Sequence, residues 1–318
     1  MNILQKAAQA VLQKAVESAP DALIPGGMPD PLVGEPHALI GAAVPRVDGA
    51  VKVRGAAPFA AEFALDAMTY AALVHSTIPK GRIATLDTAA AETAPGVVLV
   101  MTHRNAPPMK PVPMFLSKPK AAGGDNLPVL QDDRVHWNGQ PVALVLAETQ
   151  EQADHAKALV RVTYHAEEAV TSVAAAKARG TEDTLFQGEP LNVEIGDAEG
   201  ALAVSPYRVD AQYRTPRLNH NAIELHAATV AWHGDELRVH DATQAVAHTA
   251  WSLGQVFGIR ESQVRVTSPF VGGGFGGKAL WQHQVLAAAA AKLAGRPVRI
   301  VLTREGVYRM VGGRTLTE

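Results

Sequence analysis

The stretch Gly272-Gly273-Gly274-Phe275-Gly276-Gly277-Lys278 constrains this chain more than any other, because five of its first six residues are glycine. It follows the β-branched run Val264–Val271 and precedes an alanine-rich segment that ends at Gly295. That order predicts a strand, a tight turn and a helix. Glycine adopts positive φ without strain and lets a ligand approach the backbone, while unpaired N–H groups at a helix start favour a negative partner. An anionic or polar ligand is expected at the turn.

Spacing alone admits several such ligands. Gly272-x-Gly274-x-x-Gly277 satisfies the dinucleotide fingerprint, and Arg304-Glu305 closes the next apolar strand, where a ribose-reading residue would lie. That half-domain, however, needs three parallel strands, and the sequence supplies two. Gly272-x4-Gly277-Lys278 also meets most of a phosphate-cradling loop, but Ala279 lacks the hydroxyl that would ligate magnesium. In the plainest reading the glycines only make a tight strand-to-helix connection. A non-catalytic nucleotide- or dinucleotide-binding module using Gly272–Gly277 therefore stays open as an alternative to an enzyme.

Length narrows the architecture, since 318 residues suffice for about two domains. A net charge of −2 gives no reason to expect nucleic acid. Cysteine is absent, which removes disulfides, thiolate nucleophiles and Cys-ligated iron–sulfur clusters from this chain. Any such electron-transfer centre is expected on a partner. No apolar run approaches the ~20 residues needed to cross a bilayer, and the N-terminal residues do not read as a secretory signal. Cytoplasmic residence is the expectation; a cysteine-free chain also suits a periplasm reached with a signal-bearing partner.

Along the chain, Ile3, Leu4, Ala7, Ala8, Val11, Leu12, Ala15 and Val16 recur at helical spacing, and Pro20–Pro36 reads as an extended linker. From Arg46 to about Thr171 short strands alternate with helices. Thr69–Ser76, Arg82–Asp87, Val97–Thr102, Pro141–Ala147 and Val160–His165 read as strands, with a short helix capped by Thr88 and ended by Pro95-Gly96. Thr149-x-x-Gln152 is a capping box for a helix to Leu159. The stretch from Arg104 to Leu127, rich in Pro, Lys and Gly, reads as a long surface excursion. Residues 172–190 read as a connector. Tyr207–Tyr213, Ile223–Trp232 and Leu237–Asp241 then alternate as a meander with a turn at His233-Gly234-Asp235, followed by a helix over Val246–Phe257. Pro297 opens a last strand over Val298–Thr303. The histidines His220, His226, His233, His240 and His248 match no compact metal-ligand spacing.

Several motifs in order carry a resemblance. Asp241-Ala242-Thr243-Gln244, the glycine loop, Gly295-Arg296-Pro297-Val298 and Leu302-Thr303-Arg304-Glu305 resemble the molybdenum-binding large subunit of the xanthine dehydrogenase/aldehyde oxidase family. Pro45-Arg46-Val47-Asp48-Gly49, Lys52-Val53, Gly55 and Ala94-Pro95-Gly96-Val97 resemble its N-terminal module, and the nearest likeness is to bacterial periplasmic aldehyde oxidoreductases. The resemblance implies an α+β fold: an a/b hammerhead domain over 46–171, a connector over 172–190, and the first part of the molybdenum-cofactor-binding domain over 191–318, after a helix and linker over 1–45.

It also implies a chemistry. The cofactor would be molybdopterin, in its cytosine dinucleotide form, held by Gln244, Gly272, Gly273, Gly274, Phe275 and Gly276. Gln244 and Phe275 would lie near molybdenum without ligating it. Such enzymes hydroxylate an aldehyde or N-heterocycle carbon with oxygen from water, and pass electrons to iron–sulfur clusters and FAD, here expected on partner subunits. No catalytic residue is assigned in this chain, because the general-base glutamate of the family belongs to a C-terminal part, expected as a further half or subunit. Glu224 is read as a structural carboxylate. Ala279 falls in the substrate pocket where purine-hydroxylating members carry Glu, which favours aldehydes over xanthine. Alone, the chain is expected to be catalytically silent and to expose an apolar face along Val298–Thr303.

Overall fold

The computed structural model describes residues 43–112, 127–179, 185–186, 189–190 and 195–317. The helical stripe at 3–16, the Pro/Gly linker and most of the excursion expected at 104–127 lie outside the described residues. Met1–Ala57 and Pro58–Glu318 form two compact units. In the first, the motif around Pro45 folds as a short helix, α1 (Gly49–Val53). Asp48 precedes it and binds both Arg46, at 2.5 Å, and Lys52, at 2.6 Å. Those hydrogen bonds, Arg46's above all, hold its carboxyl down at about 2.

The second unit opens with β1 (Thr69–His75) and β2 (Gly81–Asp87), then α2 (Ala89–Glu92) and β3 (Val97–Thr102). Thr88 precedes α2 as expected but makes no capping bond; Asp87 accepts from the Ala89 N–H instead, and Thr88 turns to Glu92. β4 (Arg134–Val135), β5 (Pro141–Ala147), α3 (Gln150–Lys157) and β6 (Arg161–Ala166) follow. The capping box of α3 forms in full, Thr149 accepting from the Gln152 N–H and Gln152 from that of Thr149. The expected connector is not plain coil: it carries α4 (Val173–Arg179) and two short strands, β7 (Leu185–Phe186) and β8 (Glu189–Pro190). Alanines at 174–176 and 178 supply the helix propensity that a connector reading overlooks.

Beyond it come α5 (Ala198–Val204), β9 (Ala227–His233), β10 (Glu236–Asp241), α6 (Val246–Phe257), β11 (Val264–Thr267), α7 (Gln282–Ala294), β12 (Val298–Val301) and α8 (Arg304–Met310). The expected strand over Tyr207–Tyr213 does not form, because a strand needs a ladder partner and no described residue supplies one. The strand expected from Ile223 begins only at Ala227; Ile223 is itself exposed. Downstream of the missing strand, two isolated antiparallel bridges join Thr215 to Thr317 and Leu218 to Arg314.

One sheet, in the order β11-β10-β9-β12-β1-β5-β3, unites strands from both sides of the connector. β12 is its hinge of topology, pairing parallel with β1 and antiparallel with β9. The expected exposure of the last strand is therefore not found. Val298, Ile300 and Leu302 are buried, since β12 has a neighbour on each edge and α7 packs across it. β5 is buried at every position because both its faces are covered: Leu144 and Leu146 join the large core beneath α7, and Val145 packs with Ala156 of α3. The buried alanines 287–291 let α7 approach the sheet closely. β9, β10, β11 and α7 thus form a rigid frame around the glycine loop.

Candidate functional site

The loop leaves β11 and is gripped from two directions. From the segment entering β9, Glu224 Oε2 accepts from the Gly272 N–H at 2.6 Å, and Glu224 N–H donates to the Gly272 carbonyl at 3.2 Å. Two residues further, His226 Nε2 lies 2.7 Å from the Gly277 carbonyl. A carbonyl only accepts, so Nε2 carries the proton. Burial lowers the His226 pKa to about 4, and the ring is neutral near pH 7. Trp281 Nε1 takes the second lone pair of the same carbonyl at 2.6 Å.

Gln244 grips from the other side, where β10 turns into α6. Its Oε1 accepts from the N–H groups of Gly276, at 3.1 Å, and Lys278, at 3.3 Å, while its own N–H donates to the Lys278 carbonyl at 2.8 Å. Two backbone donors converging on one atom fix it as the amide oxygen. The amide NH2 of Gln244 then points away with no partner among the described residues.

Close packing explains the glycines. A Cβ on Gly274 would lie 2.3 Å from Gln244 Cδ, one on Gly272 2.6 Å from Glu224 Cβ, and one on Gly277 2.8 Å from His220 Cγ. Gly273 and Gly276 need positive φ, at +93° and +90°, and Phe275 is drawn into the left-handed region at φ 55°. The N–H groups of Gly272 and Gly276 are spent on Glu224 and Gln244, so these two residues set the loop's shape. Gly273, Gly274 and Phe275 remain: their three consecutive N–H groups donate to nothing among the described residues. Phe275 projects its ring outward.

Lys278 points the opposite way. Its side chain is fully buried, and its ammonium meets Glu224 Oε2 at 2.5 Å. Burial pulls its pKa down and the Glu224 carboxylate opposes the shift. Phosphate-cradling loops use this lysine on the ligand, so its burial removes that reading. The dinucleotide geometry fails too. The expected direct run from glycine turn into helix is interrupted by Ala279–Trp281, and α7 starts only at Gln282. Ala279, half-buried, sits in that interruption with its carbonyl bound by Gln284 Nε2.

Behind the loop lies a buried polar layer that the motifs did not signal. Asp241, at the end of β10, accepts from Gln284 Nε2 at 2.8 Å; its other oxygen has no hydrogen bond and stands 4.0 Å from His283 Nε2. Burial raises the Asp241 carboxyl to about 7 and drives His283 well below its usual range. His283 packs edge-on against His226. Asp241 stood inside a recognised motif, but Glu224 and His226 stood in none, and their convergence on Gly272 and Gly277 had no local signal. Among the described residues, no group of three or more His, Cys, Asp or Glu could hold a metal ion.

A glycine loop with three amides unpaired among the described residues, set on a mixed α+β frame and backed by an internal ion pair, offers hydrogen-bond donors to a ligand that presents acceptor atoms. Comparison with known proteins identifies the kind. The family model for the molybdopterin cofactor-binding domain matches residues 180–318, and that for the aldehyde oxidase and xanthine dehydrogenase a/b hammerhead domain matches residues 54–168. The chain belongs to the aldehyde oxidase/xanthine dehydrogenase family, whose members are molybdopterin-dependent oxidoreductases. It is 35% identical over 283 residues to the aldehyde oxidoreductase molybdenum-binding subunit PaoC of Escherichia coli K12, covering 87% of this chain and 35% of PaoC. Against the nicotinate dehydrogenase large molybdopterin subunit of Eubacterium barkeri it is 28% identical, covering 86% of this chain and 63% of that protein. Quinoline 2-oxidoreductase of Pseudomonas putida 86 shares the fold, with a TM-score of 0.71 and 24% identity over 83% of this chain and 35% of that one. The chain thus spans about a third of the length of PaoC.

Proposed function

We propose that this chain supplies one wall of a molybdenum hydroxylase active site and that a further polypeptide part supplies the other. The observation that carries the reading is the row of unpaired N–H groups at Gly273, Gly274 and Phe275 beside the free amide of Gln244. These are donors only, pre-aimed by Glu224, His226 and Gln244, and they fit acceptor atoms on a cofactor. When bound, a molybdopterin supplies two-electron oxidation of a substrate carbon with oxygen drawn from water. The chain's own residues bind and orient: the amides and Gln244 meet the polar edge, and Phe275 adds a hydrophobic face. The cytosine dinucleotide form is proposed, with iron–sulfur and FAD subunits as electron acceptors and cytoplasmic residence.

Glu224 does not serve as the base in this reading. Its carboxylate is neutralised by Lys278 and held by Gly272, so the proton acceptor comes from the complementary part. Ala279 offers no hydrogen-bond partner to a purine, which favours aromatic aldehydes as substrates. The test is co-expression with the remaining two-thirds of the PaoC subunit, followed by metal analysis. Stoichiometric molybdenum and aldehyde oxidation only in the complex supports the proposal. Thermal stabilisation of the isolated chain by NAD(P) or ATP, with no molybdenum in either preparation, overturns it.

A further inference from the structure

β10 and β11 bury one face through Leu237, Val239 and Val264, in the core shared with α6 and α7, which leaves Arg238, His240, Arg265 and Thr267 on the other. The parallel pairing of the two strands sets Arg238 beside Arg265 and His240 beside Thr267. Adjacent strands lie about 4.8 Å apart, so two like charges are held side by side. Both arginines are exposed, and neither makes a side-chain hydrogen bond or ion pair among the described residues. A charge on an outer strand blocks edge pairing, but β10 is an interior strand, flanked by β9 and β11. Arg238 has no such task.

These residues, with Val239, line a recess of about 310 Å³. The position of His240 within it is fixed in advance. Phe63 stacks on the His240 ring, with centroids 4.0 Å apart and an interplanar angle of 9°. Arg299 of β12 in turn donates to the Phe63 carbonyl, while its Nε meets Thr229 Oγ1 at 3.3 Å. Neither ring nitrogen of His240 nor the Thr267 hydroxyl has a hydrogen-bond partner among the described residues. Burial lowers the His240 pKa, so near pH 7 the ring is neutral and offers one N–H. Glu236, the acidic residue on this face of β10, pairs with neither arginine and does not line the recess.

We propose that this recess is an oxyanion site that takes a single phosphate group, either the free ion or one carried on a small organic molecule. The two guanidinium groups match the charge of about −1.5 to −2 that a phosphate monoester carries near pH 7, and exceed that of one carboxylate. Donor number points the same way. Two planar guanidinium forks, a hydroxyl and an imidazole N–H serve the three terminal oxygens of a phosphate, whereas a carboxylate has too few acceptors to use them. A bound phosphate also offsets the repulsion between Arg238 and Arg265. The site shares no residue with the glycine loop or with Gln244.

Calorimetric titration of the chain with inorganic phosphate and with glycerol phosphate, at constant ionic strength, tests this. One phosphate should bind per chain, and Arg238→Gln and Arg265→Gln should each weaken binding about tenfold or more, the loss of one charge-assisted interaction. Arg134→Gln removes the same charge from β4 and should leave the affinity unchanged. Tighter binding of glycerol phosphate would mark an organic phosphate as the ligand, and equal or weaker binding the free ion. Both recess arginines are exposed, so the variants should fold; phosphate should raise the melting temperature of the parent more than theirs. Phosphate affinity that survives in both arginine variants overturns the proposal, as it would if the unpaired amides of the glycine loop were the site. Benzoate bound as tightly as phosphate, or no saturable binding of either phosphate, overturns it as well. No metal enters the measurement, so failure of the molybdenum reading would appear separately, in metal content.

Discussion

Lys278 and Glu224 form an ion pair at 2.5 Å in which the lysine side chain is wholly buried. The glycine loop is built over this pair, since the same carboxylate oxygen also holds the Gly272 N–H. Breaking a buried pair by removing one charge costs far more than the pair contributes, because the remaining ion loses its compensation. Glu224→Gln should therefore destabilise the chain by about 3 kcal/mol. Lys278→Met should cost less, as Glu224 keeps the Gly272 N–H and some solvent. Urea unfolding of the two variants checks the order, and an equal loss in both would show that the pair is not desolvated.

Gly274→Ala tests close approach without any change of charge. The new methyl would stand 2.3 Å from Gln244 Cδ, so either the loop or the carboxamide must move. Overpacking of this kind costs about 1–3 kcal/mol. The amide resonances of Gly276 and Lys278, which mark the Gln244 hydrogen bonds, should shift together in an NMR spectrum, while those of β9 stay in place.

Local signals made much of this fold legible. The helix over Val246–Phe257, the capping box at Thr149 and Gln152, and the fully apolar β5 each announce themselves within about a dozen residues. The tight turn of the glycine loop was legible for the same reason. What grips it was not, since Glu224 and His226 come from 48 and 51 residues away and reach the loop only through the pairing of β9 with β10. Tyr207–Tyr213 failed in the opposite sense: its alternation is a true strand pattern, but no described partner completes the ladder. The strand at Val298–Val301 was legible after Pro297, but its burial was not, because a parallel pairing with β1, more than 200 residues away, leaves no sequence mark.

Gln244 joins two roles that one substitution can separate. Its oxygen accepts from Gly276 and Lys278, and its NH2, without a partner among the described residues, is the donor proposed for the cofactor. Gln244→Glu keeps the acceptor and removes the donor, so the chain should stay within about 1 kcal/mol of the parent. Molybdenum retained by the complex should nevertheless fall. Gln244→Ala loses both roles and should lower both stability and metal content. Denaturation midpoints and metal mass spectrometry, compared across the pair, check the separation; full metal retention in Gln244→Glu would remove the amide from the cofactor site.

Asp241 gives the last prediction, on pH. Burial raises its carboxyl from 3.8 unfolded to about 7 folded, so between these values the folded chain holds a proton that the unfolded chain has released. Stability from this group is full below about pH 4 and is lost as pH rises toward 7, at a limiting slope of about 1.4 kcal/mol per pH unit. His226 acts oppositely: its pKa falls from 6.5 to about 4 on folding, so stability is present above 6.5 and lost as pH drops through that window. His283, also pushed down by burial, reinforces His226. In the parent chain the two trends partly cancel. Asp241→Asn removes only the first, and asparagine still offers Gln284 a carbonyl oxygen. The stability of the variant relative to the parent should therefore climb steadily from pH 4 to 7, as read from urea midpoints at half-unit intervals. A difference that stays flat across that range would mean that Asp241 is ionised in the folded chain, with its second oxygen paired to a protonated His283.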